Sequence, residues 1–327
     1  MFVGGTVTLL SRYVLVHPHT MLAEAQQLNA TIGDQGDCME RLRIDRKCFM
    51  ITPLHQLVNR ILETLRSAAR TGTTGMGVGV CADDAFLAHP EFFPLGPQCF
   101  ELDAATRSDL LLQQEQQQVP PVTVPVASSV TVSAEPSVTV PVPDVSSVAV
   151  PVALLPPPPP TVLRIEHLLD RNQLLTVLRQ LYVEKRDAVR TILGHYKAGR
   201  LHKIFDVNYL QLHPGVEFNQ ECFDRANHLF LEFLSKHTVA SLSKFYSEFA
   251  EKYHQCFVDG TELLNQRLEL QENVIFEGAQ GSMLDRIYGT YPHLTRTLCS
   301  EDNAMSLLSQ VQHPFKLVKI GALRCYS

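Results

Sequence analysis

The chain has 327 residues, 45% of them hydrophobic and 19% charged, a composition that supplies a sizeable core and excludes a wholly disordered protein. With 28 Lys plus Arg against 34 Asp plus Glu its formal charge is −6, so it lacks the basic excess of a nucleic-acid binder and no nucleic-acid partner is expected. Its eight cysteines, at 38, 48, 81, 99, 222, 256, 299 and 325, show neither CxxC spacing nor secreted-type clustering, and predict free thiols in a reducing, cytoplasmic setting.

The run from Met1 to His19 is apolar but has no basic flank and carries Arg12, so no cleaved signal peptide is expected. No stretch reaches about 18 uninterrupted apolar residues, and no membrane span is expected. Residues 7–10 and 13–16 read as short strands, and Thr20 as the N-cap of an amphipathic helix over 21–28. Residues 41–50 alternate and read as a further strand. Thr52 and Pro53 then supply a cap and a first-turn proline, and Leu54, Leu57, Val58, Ile61, Leu62 and Leu65 recur at helical spacing, predicting a core-facing helix over 53–70. Directly after it, 71–79 reads TGTTGMGVG. Alternating hydroxyls and glycines can present backbone N–H groups and Thr side chains to a phosphate, although no Gly-Lys-Ser/Thr follows and the loop is not a Walker A motif. An ordinary glycine turn fits the same residues.

From Gln113 the composition changes. The stretch to Pro160 holds 12 of the 20 prolines, and no Lys or Arg lies between Arg107 and Arg164. Proline at that density forbids helix and central strand, so a disordered or polyproline-like Pro/Val-rich insert is expected. It either offers residues 156–160 to a proline-recognition domain or is a low-complexity insertion without a partner. The chain divides accordingly into 1–101, the first part of an α/β domain, 102–161, the Gln/Pro/Val-rich insert, and 162–327, the remainder with a helical subdomain. Leu174, Leu175, Leu178 and Leu181 open a long amphipathic helix continuing through Val189, Ile192 and Leu193. A second helical block covers 223–257, with aromatic stripes best read as core, and a short helix covers 261–270. His254 and Cys256 suggest half a zinc site, but no second pair stands at finger spacing, so they read as helix positions and no metal ligands are assigned.

Val274, Ile275 and Phe276 then form an apolar run that ends abruptly at Glu277-Gly278-Ala279-Gln280-Gly281. This is the pattern of a buried parallel strand delivering polar side chains at its carboxyl end, where α/β proteins bind ligands. Gln280 offers one amide acceptor and two donors to a base or phosphate edge. A second turn, Gly289-Thr290-Tyr291-Pro292, leads to Thr295, whose hydroxyl suits a phosphate oxygen.

FEGAQG at 276–281, Leu284-Asp285, GTYP at 289–292 and Thr295 together resemble the central signature of the adenylosuccinate synthetase family. The loop at 71–79 is similar to that family's GTTGRGIGP, and 163–170, LRIEHLLD, is similar to its LRVGDLFD. The resemblance implies an α/β fold with a mostly parallel sheet flanked by helices, related to P-loop NTPases. It also implies a carbon–nitrogen ligase of purine (AMP) biosynthesis that joins IMP to L-aspartate using GTP and Mg²⁺. By the same resemblance, Thr74, Gln280 and Thr295 contact IMP, with Gly75, Gly77, Gly278 and Gly281 as supporting loop positions. Met76 and Val80 stand where the family has arginine and proline.

Several family features find no counterpart. Nothing in 1–16 resembles the GDEGKGK phosphate loop, and Gly33-Asp34-Gln35-Gly36-Asp37 lacks its lysine. No catalytic Asp or His, GTP site, metal site or arginine-rich aspartate loop is recognised, so the expected fold is incomplete and the chain is expected not to complete the reaction alone. It reads either as a piece of a longer enzyme or as a diverged paralogue, binding IMP as a homodimer or beside a complete synthetase subunit. A non-catalytic IMP-binding or interaction protein is the alternative.

Overall fold

A computed structural model describes residues 6–32, 37–90, 158–289 and 294–321. The insert lies almost wholly outside these residues, as do most of 33–37 and the Thr290-Tyr291-Pro292 turn.

Two parallel sheets form the framework. β1 (Thr8–Leu10), β3 (Leu42–Asp45) and β5 (Phe257–Val258) make one, in the order β1-β3-β5, with Thr8 opposite Leu42 and Ile44 opposite Phe257. β2 (Leu15–Val16) pairs with β4 (Phe49–Met50) in the other. The stretch 41–50 is therefore two strands in different sheets. At the carboxyl ends of the first sheet, buried Arg12 donates to Asp45 (3.3 Å), to the Thr261 hydroxyl (2.6 Å) and to Gln310 (3.2 Å), which fills the usual ligand position of an α/β sheet.

The helices cover these strands. α1 (Pro18–Ile32) starts earlier than its sequence suggests, because His17 rather than Thr20 is its cap: the Thr20 N–H donates to His17 Nδ1 at 3.1 Å. α2 (Pro53–Leu65) begins at Thr52 as predicted, and buries Leu54, Leu57, Val58, Ile61 and Leu65 on one stripe. It stops at Leu65, and 67–69 continue as a 3₁₀ turn. α3 (Val78–Ala88) follows the glycine loop. After the undescribed segment, the Met50 N–H donates to the Leu163 carbonyl and the Ile165 N–H to that of Cys48, so the returning chain lies antiparallel beside β4. The Arg164 guanidinium lies 2.7 Å from the His89 ring and over Phe49, closing the two ends of that segment on each other.

α4 (Arg171–Lys197) buries Leu174, Leu178, Leu181, Val189, Leu193 and Tyr196. α5 (Val207–Leu212), α6 (Gln220–Lys236) and α7 (Val239–Tyr253) follow, and the core runs continuously from the strands into α2, α4, α6 and α7. The stripe of α7 is core, with Leu242, Phe249 and Tyr253 buried and Phe245 half-buried, and Tyr246 beside it is buried as well. Cys256, weighed above as half of a zinc pair, is buried and donates its thiol to the Met39 carbonyl. α8 (Gly260–Glu269) and α9 (Asp302–Leu308) complete the helices.

One expected strand does not form. Residues 273–277 are irregular, and Ile275 is 90% exposed, because no described strand lies alongside to supply a ladder. Residues 314–321 are likewise irregular, with Ile320 90% exposed. No helix among the described residues is long and apolar enough to cross a membrane.

Candidate functional site

The glycine loop is held against α2. Asn59 accepts the Gly77 N–H (3.2 Å) and donates to the Thr73 hydroxyl (3.1 Å), while Arg60 donates to the Gly75 carbonyl (3.3 Å). Gly77 has φ +79°, and a Cβ there would lie 2.6 Å from the His55 carbonyl carbon, so both chirality and close packing require glycine. Gly75 also has positive φ, at 69°. Pinned on both sides, the loop presents an exposed Thr74 just ahead of α3, whose first turn leaves N–H groups without helical partners.

The second part of the site is folded about Asp285, whose side chain is fully buried. Its Oδ1 accepts the N–H groups of Ile287 (2.8 Å) and Tyr288 (3.1 Å), and its Oδ2 those of Cys299 (2.5 Å) and Ser300 (3.0 Å). Burial pushes this carboxyl up, but the backbone N–H groups outweigh it and hold it below the usual carboxylate range. One carboxylate thus fastens the turn after EGAQG to the residues that follow Thr295. The Thr295 N–H donates to the Leu284 carbonyl (2.8 Å), and its hydroxyl meets that of Thr297 (3.3 Å). Exposed Gln280 accepts a long contact from the Cys299 thiol (3.7 Å). Gly281 is extended, with open space where a Cβ would point, and a Cβ on Gly278 would sit 3.7 Å from the Cys299 carbonyl.

Gln280 and Thr295 therefore belong to one compact loop cluster, and Thr74 to a loop at the start of α3. No described hydrogen bond joins Thr74 to the other two. The cluster packs on α3: Thr297 and Leu298 share a narrow cleft with Ala82, Ala85 and Phe86, and the Arg296 side chain passes over Gly79.

Behind α3 lies a buried polar group that the sequence reading missed. Asp84 is ion-paired with Lys185 of α4, and its Oδ2 stands 3.3 Å from His55 Nε2. His55 Nδ1 accepts the Thr52 N–H at 2.9 Å, so the neutral ring carries its proton on Nε2, facing Asp84. Burial lowers the His55 pKa, and neighbouring Asp84 only partly offsets this. The one available signal was Lys185 itself, four residues from both Leu181 and Val189 on the buried stripe of α4. A lysine at a core position implies a buried acid to meet it. These buried groups anchor α3 against α2 and α4.

The fold and the paired loops define a helix-flanked, parallel α/β protein with a glycine loop and a second, carboxylate-centred loop on one helix. The family profile described as adenylosuccinate synthetase matches residues 1–88 and 197–327, about two thirds of the chain, and the chain belongs to that family. It is 41% identical over 58 residues to the adenylosuccinate synthetase of Symbiobacterium thermophilum, covering 18% of this chain and 13% of that one. With the enzyme of Alkalilimnicola ehrlichii the identity is 36% over 80 residues, covering 24% and 18%. A solved structure, the fully ligated adenylosuccinate synthetase from Plasmodium falciparum, superposes with a TM-score of 0.46 and 15% identity, over 95% of this chain and 46% of that one. The chain thus spans less than half the length of this solved relative, and its alignments with these curated relatives cover under a fifth of theirs. The profile match leaves out 89–196, and with it both Leu163–Asp170 and Lys185.

Proposed function

We propose that this chain supplies the IMP-binding half of an adenylosuccinate synthetase site. In this reading Thr74 and Thr295 donate hydroxyl hydrogen bonds to phosphate oxygens, and the Gln280 amide reads a second polar edge of the nucleotide. The observation that carries it is the mounting of the Gln280–Thr295 cluster on α3, the helix that begins just after Thr74. The reading assigns these residues the IMP side because Thr74, Gln280 and Thr295 are the positions that the family resemblance gives to IMP. Ligation of IMP to L-aspartate would then need further polypeptide that carries the GTP side, such as a complete synthetase subunit. The exposed apolar residues Ile275, Val318 and Ile320 favour such a partner. They also favour the second reading, a non-catalytic interaction protein.

Titration calorimetry separates the two. IMP is expected to bind the wild type, Gln280→Ala to weaken it about tenfold, equivalent to about 1.4 kcal/mol, and GTP to give no heat. Absence of IMP heat from the wild type would leave the interaction reading standing alone.

A further inference from the structure

We propose that Arg286 is a positioning residue, the clasp that sets the Gln280–Thr295 cluster at a fixed place on α3 and so at a fixed distance from Thr74. Its guanidinium donates to Asp83 Oδ1 at 2.9 Å and lies 4.1 Å from the centre of the Phe86 ring. Asp83 and Phe86 are three residues apart on α3 and share a face, so one planar cation engages both. The same Nη1 donates to the Arg296 carbonyl (3.1 Å), and the Arg286 N–H to the Thr297 carbonyl (3.3 Å). Arg286 thus holds the residues beside Thr295 with the groups that reach α3.

The division of labour follows from neighbouring residues. Among the described residues the Asp285 carboxylate bonds to the backbone of its own cluster and fixes that cluster's internal shape; Arg286 fixes where the cluster sits. On α3, Asp83 and Asp84 project about 100° apart. Asp83 takes Arg286 from the loop side, while Asp84 takes Lys185 and His55 from the core side. α3 is therefore gripped on two faces, and the glycine loop with Thr74 is continuous with its first turn. The Arg286 and Asp83 side chains are only 12% and 22% exposed, so their pairing is screened less than a surface ion pair and holds geometry that a solvated one would not.

For its ligand the proposal rests on the IMP-side reading; for the clasp it rests on contacts within the apo chain, and the two can fail separately. The test uses the full chain as wild type, Arg286→Leu, Arg286→Lys and Asp83→Asn, with backbone hydrogen exchange in the absence of nucleotide and IMP calorimetry. Arg286→Leu and Asp83→Asn are expected to speed exchange over 294–300 at least tenfold while α2 and α4 stay as protected as in the wild type. Both are expected to weaken IMP binding about tenfold. Arg286→Lys, which keeps the charge but not the planar stack, is expected to recover part of each effect. If Arg286→Leu loosens α2 as well, the milder Asp83→Asn decides. Unchanged exchange over 294–300 in Asp83→Asn overturns the clasp. Faster exchange with unchanged IMP affinity overturns its positioning role. Faster exchange in a chain whose wild type binds no IMP supports the clasp and sinks the IMP reading instead.

Discussion

Asp285 keeps its charge away from water only because four backbone N–H groups surround it. An amide in its place retains the shape but turns one acceptor edge into a donor facing N–H groups. Asp285→Asn is therefore expected to cost about 1.5–3 kcal/mol in a urea melt, the range for hydrogen bonds to a charged group. Because the folded carboxyl titrates below its ordinary value, the stability it contributes is present above that value and lost as pH falls through the folded one. His55 acts in a higher window. Its folded pKa lies below the ordinary 6.5, so the unfolded chain takes up the proton first and stability falls as pH drops below 6.5. Denaturant melts at pH 7.5 and 5.5 should show this loss, and His55→Gln should show a smaller one. The loss should not vanish in that variant, since burial also lowers His17, His19, His167 and His237.

At the scale of elements, the pieces that sequence made plain are those whose partners are local. α2 is written in its cap, its proline and its apolar stripe, and α4 in its leucines, because each signal repeats within one or two turns. The Val274–Phe276 run differs for the opposite reason: a parallel strand exists only where a neighbour supplies the ladder, and no described strand lies beside it. Gly77 was legible as a loop glycine, but its contact with His55 was not. Gly77→Ala combines positive φ with backbone overlap and is expected to lower stability by about 3 kcal/mol in thermal denaturation. Lys185→Leu leaves Asp84 charged against a neutral His55, and is expected to cost about 3–5 kcal/mol, the loss seen when one member of a buried pair is removed.

For the molecule as a whole, the candidate site is two loops carried by one helix, and only its residue types could be read in advance. The motifs nominate Thr74, Gln280 and Thr295, whereas Asp83, Asp84, Lys185 and Arg286, which hold those loops in place, carry no motif and emerge only from three-dimensional contact. The insert is a separate matter. Its flanks are joined through His89, Phe49 and Arg164, and Thr161 is bonded to Glu184 of α4, so the described core is closed on either side of it. Deleting 113–160 is expected to leave the melting temperature within a few degrees of wild type; a large drop would show that the segment packs against the core. The most direct measurement of the central claim is the hydrogen-exchange footprint of IMP on the full chain. Slower exchange in both 71–79 and 278–300 is the predicted result, since one ligand must touch both loops. Protection confined to one of them, or to neither, would contradict a shared IMP site.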